Sequence, residues 1–354
     1  TQYKSHSLDV HISRTWRLSA LLDSFVTPLP AQMRRGPRWF AGSADAVYQN
    51  LSLIDDERPD HICVFGADHI YRMDPRQMVR QHIETGADVT VAGIKVSLEE
   101  GKRSGVIQRG EGTKIAEFLE KPDEPPALPE DPDKVFASMG NYVFTTKALM
   151  EAVTTDAAND GSDHDMGGDI VPLLTEAGSA HLYDFADNQV PGQTPREHGY
   201  WRDVGTLDSY YDSHMDLISS EPAFELHNKH WPIYTWLPPL PPARFVFGGT
   251  EGTGQVLNSM VCEGVLVWDA ILKQSVISPG VVLHPDSVVE NSVLMHDVEV
   301  GQGAVVRNAI IDKNVEVPPG ARIGVDAEAD RERFTVSDNG VVVIGKGEKI
   351  PPTE

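Results

Sequence analysis

Cysteine is scarce in this chain of 354 residues, which contains Cys63, Cys262 and no other cysteine. Two thiols so far apart do not form the disulfide framework of small secreted proteins, and they fit a reducing cytoplasm. The chain also lacks an apolar stretch near the ~20 residues that a membrane-spanning helix needs, and no signal peptide opens it. We therefore expect a cytoplasmic protein without a membrane partner.

Positive charge is the second shortage. The chain has 30 Lys and Arg residues against 53 Asp and Glu residues, which gives a net charge of −23. Nucleic acids and anionic membranes repel such a protein, so we expect neither as a partner. Small anionic substrates would need a local group of cationic side chains.

The length of the chain allows about two domains. Prolines and glycines crowd residues 231–252, which is the composition of a linker. We therefore predict a first domain at residues 1–230, a linker at 231–252, and a second domain with a C-terminal extension at 253–354.

Asp68 stands at the end of an apolar run that begins at Ile62. The run has the length of a strand buried on both faces, and Asp74 and Pro75 then start a predicted helix. In open α/β sheets ligands bind at this edge, where an aspartate suits a hard cation that carries phosphates. The simpler interpretation is that Asp68 caps a turn. Asp203, just before a later predicted helix, is a second candidate ligand.

Three other stretches contain candidate binding groups. A predicted hairpin at residues 105–120 ends in Lys121, whose ammonium suits a phosphate unless it is merely solvated. Gly42 and Ser43 precede a predicted helix whose first N–H groups suit an anion, although Ser43 also fits a plain N-cap. Residues 164–169 hold polar groups that face a sugar or form a loop and a helix start.

An internal repeat follows the predicted linker. Residues 274–277, 291–294 and 308–311 are alike and start 17 residues apart. Aliphatic residues also recur every six residues, with one slip, at Val276, Val282, Val288, Leu294, Val300 and Val306 and then at Ile311, Val317 and Ile323. This spacing predicts a parallel β-helix in which one aliphatic residue of each short strand points inward.

Seven motifs of the chain are similar to those of bacterial glucose-1-phosphate adenylyltransferases, also called ADP-glucose pyrophosphorylases: TQYKSHSL, GSADAVYQN, VFGADHIYRMDP, FLEKP, SMGNYVF, HDMGGDI and YWRDVGT. The resemblance covers essentially the whole chain. It implies an α/β fold in which a Rossmann-like nucleotidyltransferase domain, with a mixed and mainly parallel sheet, precedes a left-handed parallel β-helix. It also implies a homotetramer.

The same resemblance implies a reaction. Members of this family make ADP-glucose and pyrophosphate from ATP and α-D-glucose 1-phosphate, with Mg²⁺, as the first committed step of glycogen synthesis. Phosphorylated metabolites regulate them allosterically.

Carried over to the matching positions, the resemblance implies that Asp68 and Asp203 hold Mg²⁺ and that Lys121 binds the phosphate of glucose 1-phosphate. The other implied contacts are Gly105, Glu120, Ser138 and Phe40 for the sugar phosphate, Gln2, Gln32, Gly42 and Ser43 for the nucleotide, and Arg333 for an effector. Phe40 stands where the family commonly has a tyrosine, so this contact lacks a hydroxyl.

Family members begin with a strand and a glycine-rich loop whose arginine and lysine grip the triphosphate. No residues of this sequence match that unit. We therefore expect the printed sequence to be incomplete at its N-terminus and inactive by itself.

Three alternative functions fit parts of the sequence. Hexapeptide β-helices also form acyltransferases, where His284 or His296 would act as the base, but the upstream motifs would then have no role. A non-catalytic regulatory subunit keeps the same fold, although Asp68, Lys121 and Asp203 are all present. Another nucleotide-sugar pyrophosphorylase would share the Asp and Lys chemistry and differ around the base.

Overall fold

The computed structural model describes residues 1–19, 21, 24–31, 36, 39–248 and 254–351. Its contacts divide the chain into two compact units, each described by itself below. The first unit holds Thr1–Ala67, Arg72–Gln193 and Tyr234–Trp236, and the second holds Asp68–Tyr71, Thr194–Ile233 and Leu237–Glu354. The three-part division predicted from the sequence stays a prediction, and it differs from these units in its placement of residues 68–71 and 194–233. In the described ranges, no helix is long and apolar enough to cross a membrane.

The helices are α1 (His6–Thr15), α2 (Ser43–Tyr48), α3 (Leu51–Glu57), α4 (Pro75–Thr85), α5 (Leu98–Gly101), α6 (Thr146–Ala157), α7 (Val171–Glu176), α8 (Leu207–Leu217) and α9 (Ala327–Arg333). A π-helical turn at Met166–Ile170 leads into α7, and a 3₁₀ turn lies at Phe185–Asp187.

The strands up to residue 203 are β1 (His61–Phe65), β2 (His69–Tyr71), β3 (Val89–Ser97), β4 (Gly105–Arg109), β5 (Ile115–Glu120), β6 (Lys134–Thr145), β7 (Ala180–Asp184) and β8 (Trp201–Asp203). The later strands are β9 (Arg244–Val246), β10 (Gln255–Leu257), β11 (Met260–Val261), β12 (Leu266–Trp268), β13 (Ile271–Lys273), β14 (Val276–Ile277), β15 (Val282–Leu283), β16 (Val288–Leu294), β17 (Glu299–Val300), β18 (Val305–Ile311), β19 (Glu316–Val317), β20 (Arg322–Ile323), β21 (Thr335–Val336) and β22 (Val342–Ile344).

Local sequence signals explain where α4 begins and ends. The Asp74 carboxylate accepts a hydrogen bond from the Arg76 backbone N–H at 3.1 Å, and Pro75 occupies the first helical position, where its missing N–H costs nothing. Gly86 ends the helix with a φ of 63°, a left-handed conformation that glycine adopts without strain. The predicted helix after Asp74 is therefore confirmed.

The first unit contains a mixed sheet in the order β5-β4-β6-β3-β7, with β1 also paired to β6. β3 and β7 pair in parallel, whereas the other pairings of this sheet are antiparallel. Strands β1, β3, β4 and β7 share one direction, so the predicted mixed sheet is confirmed, but β6 lies between them and makes most neighbours antiparallel.

The core of this unit lies where β3 and β6 pack against α2, α6 and α7. Its buried members include Val89, Val91, Phe136, Phe144, Leu149, Ile170 and Val171. The prediction that β1 is buried on both faces is wrong. β1 is half-buried and Cys63 is exposed, because among the described residues β1 is an edge strand that pairs with β6 alone.

The second unit contains the predicted parallel β-helix. Leu272 pairs with Val289, and Val289 with Val306 one coil later, so each of these coils spans the 17 residues of the sequence repeat. β9 pairs in parallel with β12 and therefore places a coil strand inside the predicted linker at residues 231–252.

The predicted inward residues are wrong in the earlier coils. Val282 and Val288 are only half-buried, and Val276 is buried but is not a member of the central β-helix cluster, whereas Ile277, Leu283 and Val289 are fully buried inside that cluster. The inward positions advance by six, six and five residues within each coil: 277, 283, 289, then 294, 300, 306, then 311, 317, 323. At positions 276 and 277, 282 and 283, and 288 and 289, both neighbouring residues are aliphatic. The spacing alone therefore does not show which residue of each pair faces inward.

Polar residues of the repeat form its corners. Gln274, Asn291 and Asn308 have φ values of 44°, 47° and 45°, and asparagine tolerates this left-handed region better than most residues. The buried Ser292 joins neighbouring coils, since its N–H donates to Ser275 Oγ at 3.1 Å and its own Oγ accepts from Ala309 N–H at 3.3 Å.

Candidate functional site

A short ribbon in the second unit brings Asp68 and Asp203 together. β2 and β8 pair antiparallel with His69 opposite Asp203, and the Val204 N–H donates to the Asp68 carbonyl at 3.3 Å. Ligand atoms of Asp68, His69 and Asp203 all lie within 4.8 Å of one another. Two residues far apart in sequence thus form one cluster of metal-binding groups.

Neighbouring groups orient the members of this cluster. Asp203 Oδ1 accepts a hydrogen bond from Gly205 N–H at 2.7 Å, and Thr206 and Ser209 then cap α8 reciprocally. His69 packs against the Trp201 ring with centroids 4.8 Å apart. Sequence reasoning missed His69, and the available signal was its position next to Asp68 in the VFGADHIY motif.

The donor set fits a divalent cation. Carboxylate oxygens are the usual ligands of Mg²⁺, and both aspartates are exposed to solvent. Two carboxylates so close repel each other while both are ionised, and a bound cation removes that repulsion. The arrangement agrees with a divalent-metal site at Asp68 and Asp203.

Glu120 and Lys121 form a second cluster, in the first unit. Lys121 Nζ lies 3.1 Å from Glu120 Oε1, and its side chain is 64% exposed. Lys121 has a φ of 44°, a conformation that is strained for a residue with a side chain and that concentrates at ligand sites. Its N–H donates to the Ser104 carbonyl at 3.2 Å, which fixes this turn after β5.

Glycines open the space around Glu120. A Cβ on Gly105 would lie 2.4 Å from the Phe118 ring and 3.1 Å from Glu120 Oε2, and one on Gly167 would lie 3.3 Å from the same oxygen. A side chain at Gly105 is therefore excluded. The structure brings Gly105 and Glu120 side by side, as their pairing between β4 and β5 requires.

Tyr142 is a member of this cluster that sequence reasoning missed. Its hydroxyl accepts a hydrogen bond from Ser138 Oγ at 3.4 Å and would lie 3.4 Å from a Cβ on Gly167. Burial, opposed in part by the hydrogen bond from Ser138, raises the pKa of Tyr142 to about 12, so it stays a neutral hydroxyl. Its place in the SMGNYVF motif was the available signal.

The turn at Gly42 and Ser43 packs against residues 164–166. A Cβ on Gly42 would lie 2.2 Å from the His164 carbonyl oxygen, so only glycine permits this approach. Ser43 Oγ donates to Asp165 Oδ2 at 2.8 Å and accepts from Met166 N–H at 2.8 Å. Ser43 thus binds a neighbouring loop and makes no side-chain cap of its own helix.

Asp165 caps the turn that leads to α7. Its Oδ1 accepts from the N–H groups of Gly167 and Gly168, both at 2.9 Å, which supports the interpretation of residues 164–169 as a loop and a helix start. Burial opposes ionisation here, but hydrogen bonds from Gly168, Ser43 and Gly167, together with the charge of Lys121, hold the pKa of Asp165 below its ordinary value.

Four predicted site residues remain to be placed: Gln2, Phe40, Gln32 and Arg333. Gln2 is exposed before α1, Phe40 is half-buried before α2, and Gln32 lies outside the described residues. The Arg333 guanidinium binds its own chain, with Nη2 2.8 Å from Asp330 Oδ1 and 3.1 Å from the Arg322 carbonyl oxygen.

Comparison with known families defines the class of protein. The family described as nucleotidyl transferase matches residues 1–220, and the family described as GlmU-like, C-terminal hexapeptide, matches residues 241–344. The fold is therefore a nucleotidyl transferase domain with a C-terminal left-handed β-helix.

Relatives narrow the class further. The chain is 60% identical over 350 residues to a glucose-1-phosphate adenylyltransferase of Parafrankia, covering 98% of this chain and 85% of the relative. It is 62% identical over 347 residues to the one of Nocardia farcinica, with 98% and 85% covered. With the one of Streptomyces coelicolor it shares 60% over 352 residues, with 99% and 87% covered. The chain belongs to the glucose-1-phosphate adenylyltransferase family, and the resemblance seen in its motifs is confirmed.

Proposed function

We propose that the protein transfers the adenylyl group of ATP to glucose 1-phosphate and releases pyrophosphate, as the first committed step of glycogen synthesis. The observation that carries the proposal is the identity of about 60% with relatives of that name over almost the whole chain. The clusters around Asp68 and Lys121 supply chemistry that suits this reaction.

The attacking oxygen of glucose 1-phosphate needs no general base. A phosphate monoester with a second pKa near 6 is largely dianionic at pH 7. The difficulty is the approach of two anions, since two unit charges ~4 Å apart repel by about 4 kcal/mol at an effective dielectric constant near 20. Lys121 reduces that repulsion by binding the sugar phosphate.

The other members of the Lys121 cluster position the sugar. Glu120 accepts hydrogen bonds from sugar hydroxyls, and the Tyr142 hydroxyl, buried and neutral, borders the same space with Ser138. Gly105 leaves room for the sugar phosphate beside the Glu120 carboxylate. Phe40, without a hydroxyl, contributes apolar contact only.

Asp68 and Asp203 hold a divalent cation, for which we propose Mg²⁺. When bound, such an ion supplies positive charge to phosphate oxygens. The protein contributes two carboxylates on a ribbon whose register brings them together, with Asp203 held further by Gly205 N–H.

Several further assignments belong to the same proposal. Gln2, Gln32 and the Gly42-Ser43 turn contact the nucleotide, and the protein works as a cytoplasmic homotetramer under the control of phosphorylated metabolites. Arg333 is the proposed effector contact. Its ion pair with the buried Asp330 means that an anionic effector would compete with an internal carboxylate.

Nucleotide preference tests the proposed function. Pyrophosphate release by the full-length natural protein, with glucose 1-phosphate and each of ATP, UTP, CTP and dTTP, is expected to be much faster with ATP. A preference for UTP or dTTP would assign the protein to another nucleotide-sugar pyrophosphorylase. Release of no pyrophosphate from any of them by a folded protein would favour a regulatory subunit.

A further inference from the structure

His69 is an imidazole beside the proposed cation site for which the reaction described so far has no role. Its side chain is 15% exposed, and Nε2 lies 3.4 Å from Asp68 Oδ1. Trp201 covers the other side of the ring, with centroids 4.8 Å apart. The ring is thus held in place by packing, and Nε2 is the nitrogen that faces the carboxylates.

The pairing of β2 with β8 fixes the position of the His69 side chain as firmly as those of the two aspartates. Residues directly opposite each other in an antiparallel pair extend from the same face, with Cβ atoms about 5 Å apart, and His69 is directly opposite Asp203. The three side chains keep their ligand atoms within 4.8 Å. In an octahedral site with bonds of about 2.1 Å, neighbouring ligands are about 3 Å apart and opposite ligands about 4 Å apart, so the ligand atoms that lie furthest apart must close by up to about 2 Å to bring all three onto one ion.

Nδ1 of His69 is buried and has no hydrogen-bond partner in the part of the chain that the structure describes, whereas Nε2 faces Asp68 Oδ1 at 3.4 Å. Without a cation this carboxylate favours the tautomer with its proton on Nε2, and coordination through Nε2 requires the other tautomer. A neutral imidazole with its proton on Nδ1 offers a lone pair at Nε2, which is how histidine binds metal ions.

We propose that His69 is a third protein ligand of the divalent cation, through Nε2, beside Asp68 and Asp203. This inference rests on the proposed function for the existence of the cation site. A nitrogen ligand favours Mn²⁺ and later transition ions relative to Mg²⁺, which prefers oxygen ligands.

The test uses Mn²⁺ alone, without nucleotide, as the probe of the full-length protein. Mn²⁺ affinity is measured by the loss of its free-ion electron paramagnetic resonance signal, and pulsed spectra detect coupling to a coordinated ¹⁴N nucleus. His69→Phe keeps an aromatic ring against Trp201 and removes the nitrogens. His230→Ala, at an exposed histidine of the same unit, is the matched control.

The wild type is expected to show coordinated ¹⁴N coupling that disappears when its histidines carry ¹⁵N, a result that needs no variant to fold. His69→Phe is expected to lose the coupling and to raise the Kd for Mn²⁺ at least about tenfold, whereas His230→Ala changes neither. Bound Mn²⁺ without nitrogen coupling in the wild type, or an unchanged Kd in a folded His69→Phe protein, would overturn the inference.

A third variant separates this inference from the proposed function. Asp203→Asn removes a carboxylate on which the cation site itself depends. If His69→Phe binds Mn²⁺ like the wild type while Asp203→Asn does not, only the role of His69 is wrong. If Asp203→Asn also binds Mn²⁺ with an unchanged Kd, the cation site is misassigned and His69 loses its role with it.

Discussion

Replacing Val300 with alanine tests the six-six-five register of the β-helix. Val300 is fully buried in the core, whereas Val282, the same residue type one coil earlier, is half-buried outside it. Removing two methyl groups costs about 1.6 kcal/mol in transfer free energy, and the remaining cavity raises the cost to about 2–3 kcal/mol. Val282→Ala makes the same chemical change at a position that water already reaches, so we expect it to lower the stability by less than about 1 kcal/mol.

Hydrogen exchange of peptides that cover β15 to β18 is the appropriate assay, because it reports local opening free energies, and a protein with two compact units need not unfold in one step. A cost of 2–3 kcal/mol predicts roughly thirty- to 150-fold faster exchange in Val300→Ala, and less than about fivefold in Val282→Ala. Catalytic rates at 25 °C should be unchanged in both. Equal exchange in the two variants would refute the register, and lost activity with unchanged exchange would refute the scaffold role.

Three further variants have expected outcomes. Tyr142→Phe removes a hydroxyl beside Glu120, so kcat/KM for glucose 1-phosphate should fall about tenfold without a change in the KM for ATP; equal effects on both substrates would contradict this placement. Ser292→Ala removes the Oγ that accepts from Ala309 N–H, while the bond from Ser292 N–H to Ser275 Oγ remains. The loss of that buried acceptor should destabilise the β-helix by about 1–2 kcal/mol and lower its melting temperature; an unchanged melting temperature would refute it. Burial, with a further contribution from His61, lowers the pKa of His82 to about 4, so the unfolded chain binds more protons and stability should fall by roughly 3 kcal/mol as pH drops from about 6.5 towards 4. His82→Gln should flatten that pH dependence, and an unchanged slope would contradict it.

Local signals were sufficient to predict much of the fold. Asp74, Pro75 and Gly86 determine α4 by chemistry within the segment itself, and the 17-residue repeat identified the β-helix because each coil stacks its equivalent residues on the next. The register was not predictable, since Val282 and Leu283 are both aliphatic and only the folded coil shows that Leu283 points inward.

The site residues whose chemistry is evident from a sequence motif were predictable. The residues that become candidates only when two strands pair were not. Asp68, Asp203, Glu120 and Lys121 stand in motifs whose chemistry is evident from the side chains. His69 becomes a candidate only once β2 pairs with β8. Its position next to Asp68 was a local signal, but its place opposite Asp203 depends on the assembled ribbon, which no local pattern reveals.

The roles of Lys121 and Asp203 are tested most directly by steady-state kinetics of Lys121→Gln and Asp203→Asn in the full-length protein, with both substrates and Mg²⁺ varied. Loss of a charge-assisted hydrogen bond worth about 1.5–3 kcal/mol should raise the KM for glucose 1-phosphate roughly ten- to a hundredfold in Lys121→Gln, while the KM for ATP changes much less. Asp203→Asn should instead lower kcat at least about a hundredfold. An unchanged KM for glucose 1-phosphate in Lys121→Gln, or a near-normal kcat in Asp203→Asn, would contradict the proposed site.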